Sequence, residues 1–265
     1  MTKALFSKDE IEKIVSFAWE AGLILSEFFK QKNFSTSLKK DGSKVTSADL
    51  EVSKLLRQKL MENFSYPLIC EEGVLREISS ETFWMIDPLD GTSSFASGSK
   101  QFAVNIALIQ NKKAVFGLIY APLFEGGKMF FSNEKNEVVF VGKKSAQENE
   151  TDTLRIVASA RVNDDDVKKY VAQFHPSFSQ NFIVEKLSSA VKFFRLFENK
   201  TDLYLHLRPS MEWDIAAGQA LLELMGGKVK TLNSNSGKFV LNSDLSYAKP
   251  GFANEEFVAF FDKKS

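Results

Sequence analysis

The chain has 265 residues, 44% hydrophobic and 26% charged, and its 34 basic residues balance 34 acidic ones. This allows one large domain or two of ordinary size with a substantial core, and it excludes bulk electrostatic attraction to nucleic acid or to a membrane surface. Cys70 is the only cysteine, so an intrachain disulfide is excluded, in keeping with a reducing compartment.

Ser7 to Glu10 fits a Ser-x-x-Glu capping box. Ile11, Ile14, Val15, Ala18, Leu25 and Phe28 then recur at helical spacing, which predicts an amphipathic helix ending near Lys32. Lys39-Lys40-Asp41-Gly42 reads as a turn. Thr46 and Ser47 can cap a second helix, with Leu55, Leu56 and Leu60 on its apolar positions and Asp49 in its first turn. Strand-like segments follow: Pro67 to Cys70 ending at Glu71, and Phe83 to Ile86 ending at Asp87. A third strand carries Phe102, Val104, Ile106 and Leu108 on one face, and Asn111-Lys112 turns it into Ala114 to Tyr120. Shorter runs cover Met129 to Ser132 and Val138 to Val141.

The polar stretch Lys143 to Asp152 is the expected boundary between an N-terminal α+β domain (1–150) and a C-terminal α/β domain (151–265). Beyond it, strands at Arg155 to Ala158, Phe182 to Leu187 and Asp202 to Leu207 alternate with helices at Asp164 to Phe174, Ser188 to Glu198 and Trp213 to Met225. Gly226-Gly227 stops the last helix. The expected class is α/β (α+β): an antiparallel, helix-flanked sheet first, then a smaller, mostly parallel sheet. No stretch reaches the roughly 20 apolar residues of a membrane span, and the first residues show no signal-peptide pattern. A cytoplasmic protein is expected, with at most peripheral contact at the inner membrane.

The most informative segment is Trp84-Met85-Ile86-Asp87-Pro88-Leu89-Asp90-Gly91-Thr92. An apolar run ends in two carboxylates, then a glycine and a hydroxyl, an order suited to a divalent ion and a phosphate. Glu71-Glu72 and Glu212-Trp213-Asp214 also stand where apolar segments end. Two carboxylates about 4 Å apart repel by about 4 kcal/mol at an effective dielectric of 20. If the clusters converge, they need cations to stay ionised, and a site of oxygen donors alone selects a hard ion such as magnesium. Taken singly, each cluster has a plain reading: a solvated strand end, or an N-cap for Asp214. His175 and His206 belong to neither cluster and read as structural or exposed. Aspartyl-phosphate phosphatases use Asp-x-Asp-Gly-Thr; here the second aspartate is one residue further on and is expected on the other side of the strand end.

Together, Glu71-Glu72, Asp87-Pro88-Leu89-Asp90-Gly91-Thr92 and Trp213-Asp214-Ile215-Ala216-Ala217-Gly218 resemble the inositol monophosphatase superfamily, from the first helix to Gly227. Within it, Phe102 to Ile109 and Ser188-Ser189-Ala190-Val191-Lys192-Phe193 are similar to the bacterial CysQ-type 3'(2'),5'-bisphosphate nucleotidases. The chain departs from them at Ser93-Ser94, where they usually carry a lysine followed by an acidic residue or glycine.

The resemblance implies a layered αβαβα sandwich and a lithium-sensitive, magnesium-dependent phosphomonoesterase with two or three ions per site. It implies metal binding by Glu71, Asp87, Asp90 and Asp214, with the Leu89 carbonyl. It implies that Asp49 and Thr92 orient and deprotonate the attacking water, with help from Glu71. Asp90, Gly91, Thr92, Ser188, Ser189, Lys192 and Asp214 would bind the substrate, and Arg208 and Glu212 are weaker candidates. The implied reaction removes the 3'-phosphate of adenosine 3',5'-bisphosphate, and of its sulfated analogue PAPS. The alternative is an inositol-1-monophosphatase, then a fructose 1,6-bisphosphatase or a catalytically silent binding protein. The expected partner is a small phosphorylated molecule and no nucleic acid polymer; the protein itself is expected to be a monomer or a homodimer.

Overall fold

A computed structural model describes residues 5–32, 34–39, 42–73, 78–144, 152–235 and 238–262. Helix α1 (Lys8–Gln31) starts on the expected box: Ser7 Oγ accepts the Glu10 amide at 3.3 Å, and the Glu10 carboxylate accepts the Ser7 amide at 2.7 Å. A short hairpin of β1 (Thr36–Leu38) and β2 (Lys44–Thr46) leads into α2 (Ser47–Asn63). Lys40 and Asp41 of the expected turn lie outside the described residues, as do residues 145–151 of the expected boundary.

The first sheet contains β3 (Leu68–Cys70), β4 (Thr82–Asp90), β5 (Ala103–Gln110), β6 (Lys113–Ala121), β7 (Lys128–Ser132) and β8 (Val138–Gly142), side by side in that order. The short helix α3 (Thr92–Ala96) follows β4. Every pairing is antiparallel except β3 with β4. The chain continues through β9 (Leu154–Ser159), α4 (Asp164–Phe174), β10 (Phe182–Leu187), α5 (Val191–Phe197), β11 (Leu203–His206), β12 (Ser210–Met211), α6 (Glu212–Leu224), β13 (Gly227–Asn235), β14 (Lys238–Asp244), β15 (Ala253–Asn254) and β16 (Glu256–Phe261).

The second sheet runs β10-β9-β11-β16-β13-β14. This corrects the expectation of a smaller, mostly parallel sheet. It has six strands, as the first does, and only β10–β9 and β9–β11 are parallel; β16, β13 and β14 join antiparallel. The missed strands lie beyond Gly227. Strand β14 is an edge with nearly all its side chains exposed, so it shows no apolar alternation. Strand β16 is apolar on both faces, which hides its period.

Alternation on β4 explains the layering. Trp84 and Ile86 point to a core with α1 and α2; Phe83 and Met85 point to a middle core with α5 and α6. The other wall of that middle core is the second sheet, through Val157, Tyr204, Phe257 and Ala259. Its far face, with Ile156, Leu205 and Val258, packs on Val167, Tyr170 and Val171 of α4. The layers are therefore α1/α2, first sheet, α5/α6, second sheet, α4, the αβαβα sandwich.

Helix α6 lies unusually close to its neighbours. A Cβ on Gly117 of β6 would stand 2.3 Å from the Ala217 carbonyl oxygen, and one on Gly218 would stand 2.2 Å from the Phe193 ring. A backbone carbonyl cannot swing aside as a side chain can. Gly117→Ala is therefore expected to destabilise the protein by about 1–3 kcal/mol, seen as a Tm several degrees lower in thermal unfolding.

Candidate functional site

The two aspartates of β4 come to one place through a bulge. Asp87 pairs with Asn105 and Asp90 with Ala103, so three steps on β4 oppose two on β5. In a regular strand residues three apart face opposite ways; one extra residue returns the second to the side of the first. Pro88, inside the bulge, has no N–H to give the ladder. The expectations that the strand ends at Asp87 and that Asp90 falls on its other side are both corrected: β4 continues to Asp90, and both carboxylates serve one pocket. Leu89 donates its N–H to Asp87 Oδ1 at 3.0 Å, and Asn105 donates to Asp90 Oδ2 at 3.3 Å.

Gly91 follows with φ +91°, and a Cβ there would lie 2.8 Å from the Gln101 carbonyl oxygen. Only glycine fits both restrictions. The chain then enters α3. Thr92 Oγ1 donates to Asp49 Oδ1 at 2.8 Å and lies 3.1 Å from the Leu89 carbonyl oxygen. Asp49 reaches this point from the first turn of α2. Its other oxygen accepts the Thr46 amide at 2.8 Å and the Thr46 hydroxyl at 2.5 Å. Burial raises the Asp49 carboxyl pKa, and these hydrogen bonds oppose the rise.

Glu71 arrives from the end of β3 and Asp214 from the first turn of α6. Ligand oxygens of Glu71, Asp87 and Asp214 lie within 4.8 Å of one another. Asp214 also accepts the Met211 amide at 2.9 Å. Burial first, then the charges of Glu71, Asp90 and Asp214, push the Asp87 carboxyl far above its usual range. Burial, then Asp90 and Glu71, do the same to Asp214. Asp90 is raised to about 6, chiefly by burial, against the pull of Lys192.

This donor set fits a hard divalent ion, since its oxygens are crowded, buried and destabilised by mutual repulsion. A cation is already held at its edge. Lys39, at the end of β1, places its ammonium 2.6 Å from Glu71 and 2.5 Å from Glu72. The Glu72 carboxyl is still raised to about 7, mainly by burial.

The expected helix from Ser188 is corrected: α5 begins at Val191. Ser189 has φ +55°, which cannot begin a helix, and the Ala190 amide is drawn to Asp90 Oδ2 at 2.5 Å. Ser188 donates its amide to Gln101 Oε1 at 2.9 Å. Lys192 therefore sits in the first turn of α5 and donates back to the Ser189 carbonyl. It is 5% exposed, with Nζ 5.4 Å from the centre of the Tyr204 ring. Burial lowers its pKa to about 8, while Asp90 and Asp214 work to raise it.

An open cleft of about 470 Å³ gathers these groups. Glu71, Asp90, Gly91, Thr92, Ser188, Ser189, Lys192 and Asp214 line it, and so does the exposed Arg208. Asp87 lies just beneath. Glu212 does not belong: it is fully buried, accepts the Ala248 and Lys249 amides at 2.8 and 3.0 Å, and pins that turn to α6. Sequence reasoning missed Lys39, Arg161 and His206. Lys39 stood in a segment read only as a turn, and neither Arg161 nor His206 belongs to an acidic motif.

An acidic cleft with a buried lysine, a glycine-led helix start and layered sheets on either side defines the class as an α/β phosphate-ester hydrolase. The model of the inositol monophosphatase family matches residues 7–264. A 3'(2'),5'-bisphosphate nucleotidase CysQ of Buchnera aphidicola is 29% identical, over 91% of this chain and 92% of its own. That of Haemophilus influenzae is 32% identical over 80% of each. The crystal structure of CysQ from Bacteroides thetaiotaomicron superposes with a TM-score of 0.77 at 24% identity, covering 98% of this chain and all of that one. The chain belongs to the inositol monophosphatase family, and is an enzyme of the phosphoric monoester hydrolase type.

The carboxyl shifts have a consequence for stability. The folded-state values of Glu72, Asp87 and Asp214 lie above those of an unfolded chain. The folded state then binds more protons in that window, so stability falls as pH rises. His206, neutral in the fold because burial lowers it to about 3, acts in the opposite sense only below about 6.5. In EDTA, Tm is expected to fall by several degrees as pH rises towards about 7, the value that burial gives Glu72 in the fold, each proton contributing about 1.4 kcal/mol per pH unit. Magnesium should remove most of that slope in calorimetry, and Asp87→Asn should flatten it without metal.

Proposed function

We propose that the protein is a magnesium-dependent phosphomonoesterase that hydrolyses the 3'-phosphate of adenosine 3',5'-bisphosphate, with PAPS as a second substrate. The observation that carries the reading is the meeting of Glu71, Asp87 and Asp214 oxygens within 4.8 Å beside Asp90. The similarity to relatives named as bisphosphate nucleotidases supports the choice of substrate.

In this reading Glu71, Asp87, Asp90 and Asp214 hold two or three ions, with the Leu89 carbonyl as a further donor. The residues from 1 to 150 supply most of this set; those from 151 to 265 supply Asp214 and the substrate contacts. When bound, magnesium supplies charge neutralisation at the phosphate and acidifies water. The chain's own groups do the rest. Thr92 Oγ1 points its proton at Asp49 Oδ1, which leaves a lone pair of that oxygen to accept a proton from an attacking water. Asp49 cannot turn away, because Thr46 occupies its other oxygen. Glu71, at the cleft wall, helps to position water. The Gly91 and Thr92 amides at the start of α3 and the Lys192 ammonium face the phosphate, and a donor set fixed before substrate arrives needs no reorganisation in the transition state. Ser188 and Ser189 are hydroxyl donors to the phosphate or to a ribose.

A phosphate-release panel over adenosine 3',5'-bisphosphate, inositol 1-phosphate and fructose 1,6-bisphosphate tests the substrate. The bisphosphate nucleotide is expected to give the highest kcat/KM; a preference for inositol 1-phosphate would replace the proposal with an inositol monophosphatase. Asp90→Asn is expected to abolish turnover with the fold retained by circular dichroism. Thr92→Ala is expected to lower kcat by about 10²–10⁴, with KM little changed. Lithium should inhibit, and full activity at high lithium would count against the assignment.

A further inference from the structure

The loop between β10 and α5 is held in a conformation that its sequence does not favour. Leu187 and Ala190 are buried in the middle core, and Ser188 and Ser189 between them line the cleft. Ser189 has φ +55°, a backbone conformation that a serine seldom adopts and that persists where its surroundings over-determine it. Two hydrogen bonds from the first half of the chain do so here. The Ala190 amide donates to Asp90 Oδ2 at 2.5 Å, and the Ser188 amide donates to Gln101 Oε1 at 2.9 Å. The strained residue stands between these two tethers. Asp90 also serves the acidic pocket, whereas Gln101 carries no charge and is no part of the acidic cluster.

The backbone of Gln101 is itself fixed. Phe102, the next residue, is fully buried against Phe95, with ring centres 4.9 Å apart. The Gln101 amide donates to Ser99 Oγ at 3.3 Å, and the Ser99 amide donates to the Ser94 carbonyl at 2.9 Å, which ties this stretch back to α3. A Cβ on Gly91 would lie 2.8 Å from the Gln101 carbonyl oxygen and 3.1 Å from the Ser189 Cβ. Gly91 is thus packed between Gln101 and Ser189. One residue meets the Gly91 turn through its backbone and the serine loop through its side chain. Of the two ends of a glutamine amide only the oxygen accepts, so the Ser188 N–H fixes which way that amide faces. We infer that Gln101 is a positioning residue for the substrate: by holding the Ser188 amide it keeps Ser188 and Ser189 in their binding place before substrate arrives. This rests on the reading of those serines as substrate donors in the same cleft. Groups set in advance need no ordering on binding, and the gain appears in affinity.

The experiment compares wild type with Gln101→Leu, which removes the acceptor and keeps an aliphatic stem, and with Gln101→Glu, which keeps an oxygen at the same reach. Amide exchange of each full-length protein without substrate, resolved by NMR, reads the tether directly. In Gln101→Leu the Ser188 amide is expected to exchange about tenfold faster, with the amides of β5 unchanged as the sign of an intact fold. Gln101→Glu should keep the protection. Steady-state kinetics with adenosine 3',5'-bisphosphate and with inositol 1-phosphate then read the consequence for substrate. For the ester that wild type prefers, Gln101→Leu is expected to raise KM about three- to tenfold and to change kcat by less than about twofold, with Gln101→Glu nearer to wild type. Unchanged Ser188 exchange in Gln101→Leu overturns the inference, and so does faster exchange with KM unaltered. A Gln101→Glu variant that keeps the protection but has a KM as high as Gln101→Leu overturns it too. A preference for inositol 1-phosphate removes the nucleotide reading alone, because the same comparison is then read on that ester. If wild type turns over neither, the phosphomonoesterase reading fails by itself, while exchange at Ser188 still decides whether Gln101 holds the loop.

Discussion

The structure turns on the repulsion among carboxylates held in one pocket. Asp87 is almost fully buried, and Glu71 and Asp214 oxygens crowd it within 4.8 Å. Within the pocket, Lys39 against Glu71 and Lys192 beside Asp90 and Asp214 offset only part of that crowding. It is imposed by apolar packing around it, in a middle core that draws on both sheets and on α5 and α6. Each buried aliphatic or aromatic side chain contributes about 1.5–3 kcal/mol, so a core of this size can hold several like charges together. The stored repulsion is then available to any cation of suitable size and hardness, and that makes the acidic end of the cleft a binding site.

The same packing sets the position of each acid. Helix α6 approaches β6 so closely that Gly117 and Gly218 leave no room for a Cβ. Glu212, two residues before Asp214 in the same first turn, ties the helix start to the turn at Ala248 and Lys249. Asp214 is thus held from behind by backbone contacts. The β4 bulge sets Asp90 from the other side, and the Ala190 amide holds it there. These constraints come from the backbone, which moves less readily than side chains and leaves the carboxylates little freedom to part.

From that acidic end the cleft changes character. Lys192 gives a positive charge, Tyr204 an aromatic face and a hydroxyl, and His206 a neutral imidazole. Charge is concentrated where a phosphate would sit, and uncharged hydrogen-bonding groups lie further out. In the proposed reading, discrimination between esters that share a phosphate would fall to that outer wall, because the acidic end would meet the same group in all of them.

The sequence by itself determined the residue types and most of the local structure. The capping box of α1, the apolar face of β5 and the alternation of strand and helix after Leu154 all follow from local spacing, since a period of 2 or 3.6 is set by the backbone of one element. It also showed three acidic clusters at the ends of apolar segments, and the family resemblance joined them. The tertiary structure decided the rest. Whether Asp90 shares a side with Asp87 depends on a bulge opposite another strand. Whether Lys39 or His206 reaches the cleft depends on which faces pack together. Strands β13, β14 and β16 owe their place to neighbours more than to any pattern of their own. Burial, pairing and electrostatic strain arise between segments distant in the chain, and no local period encodes a distance between them.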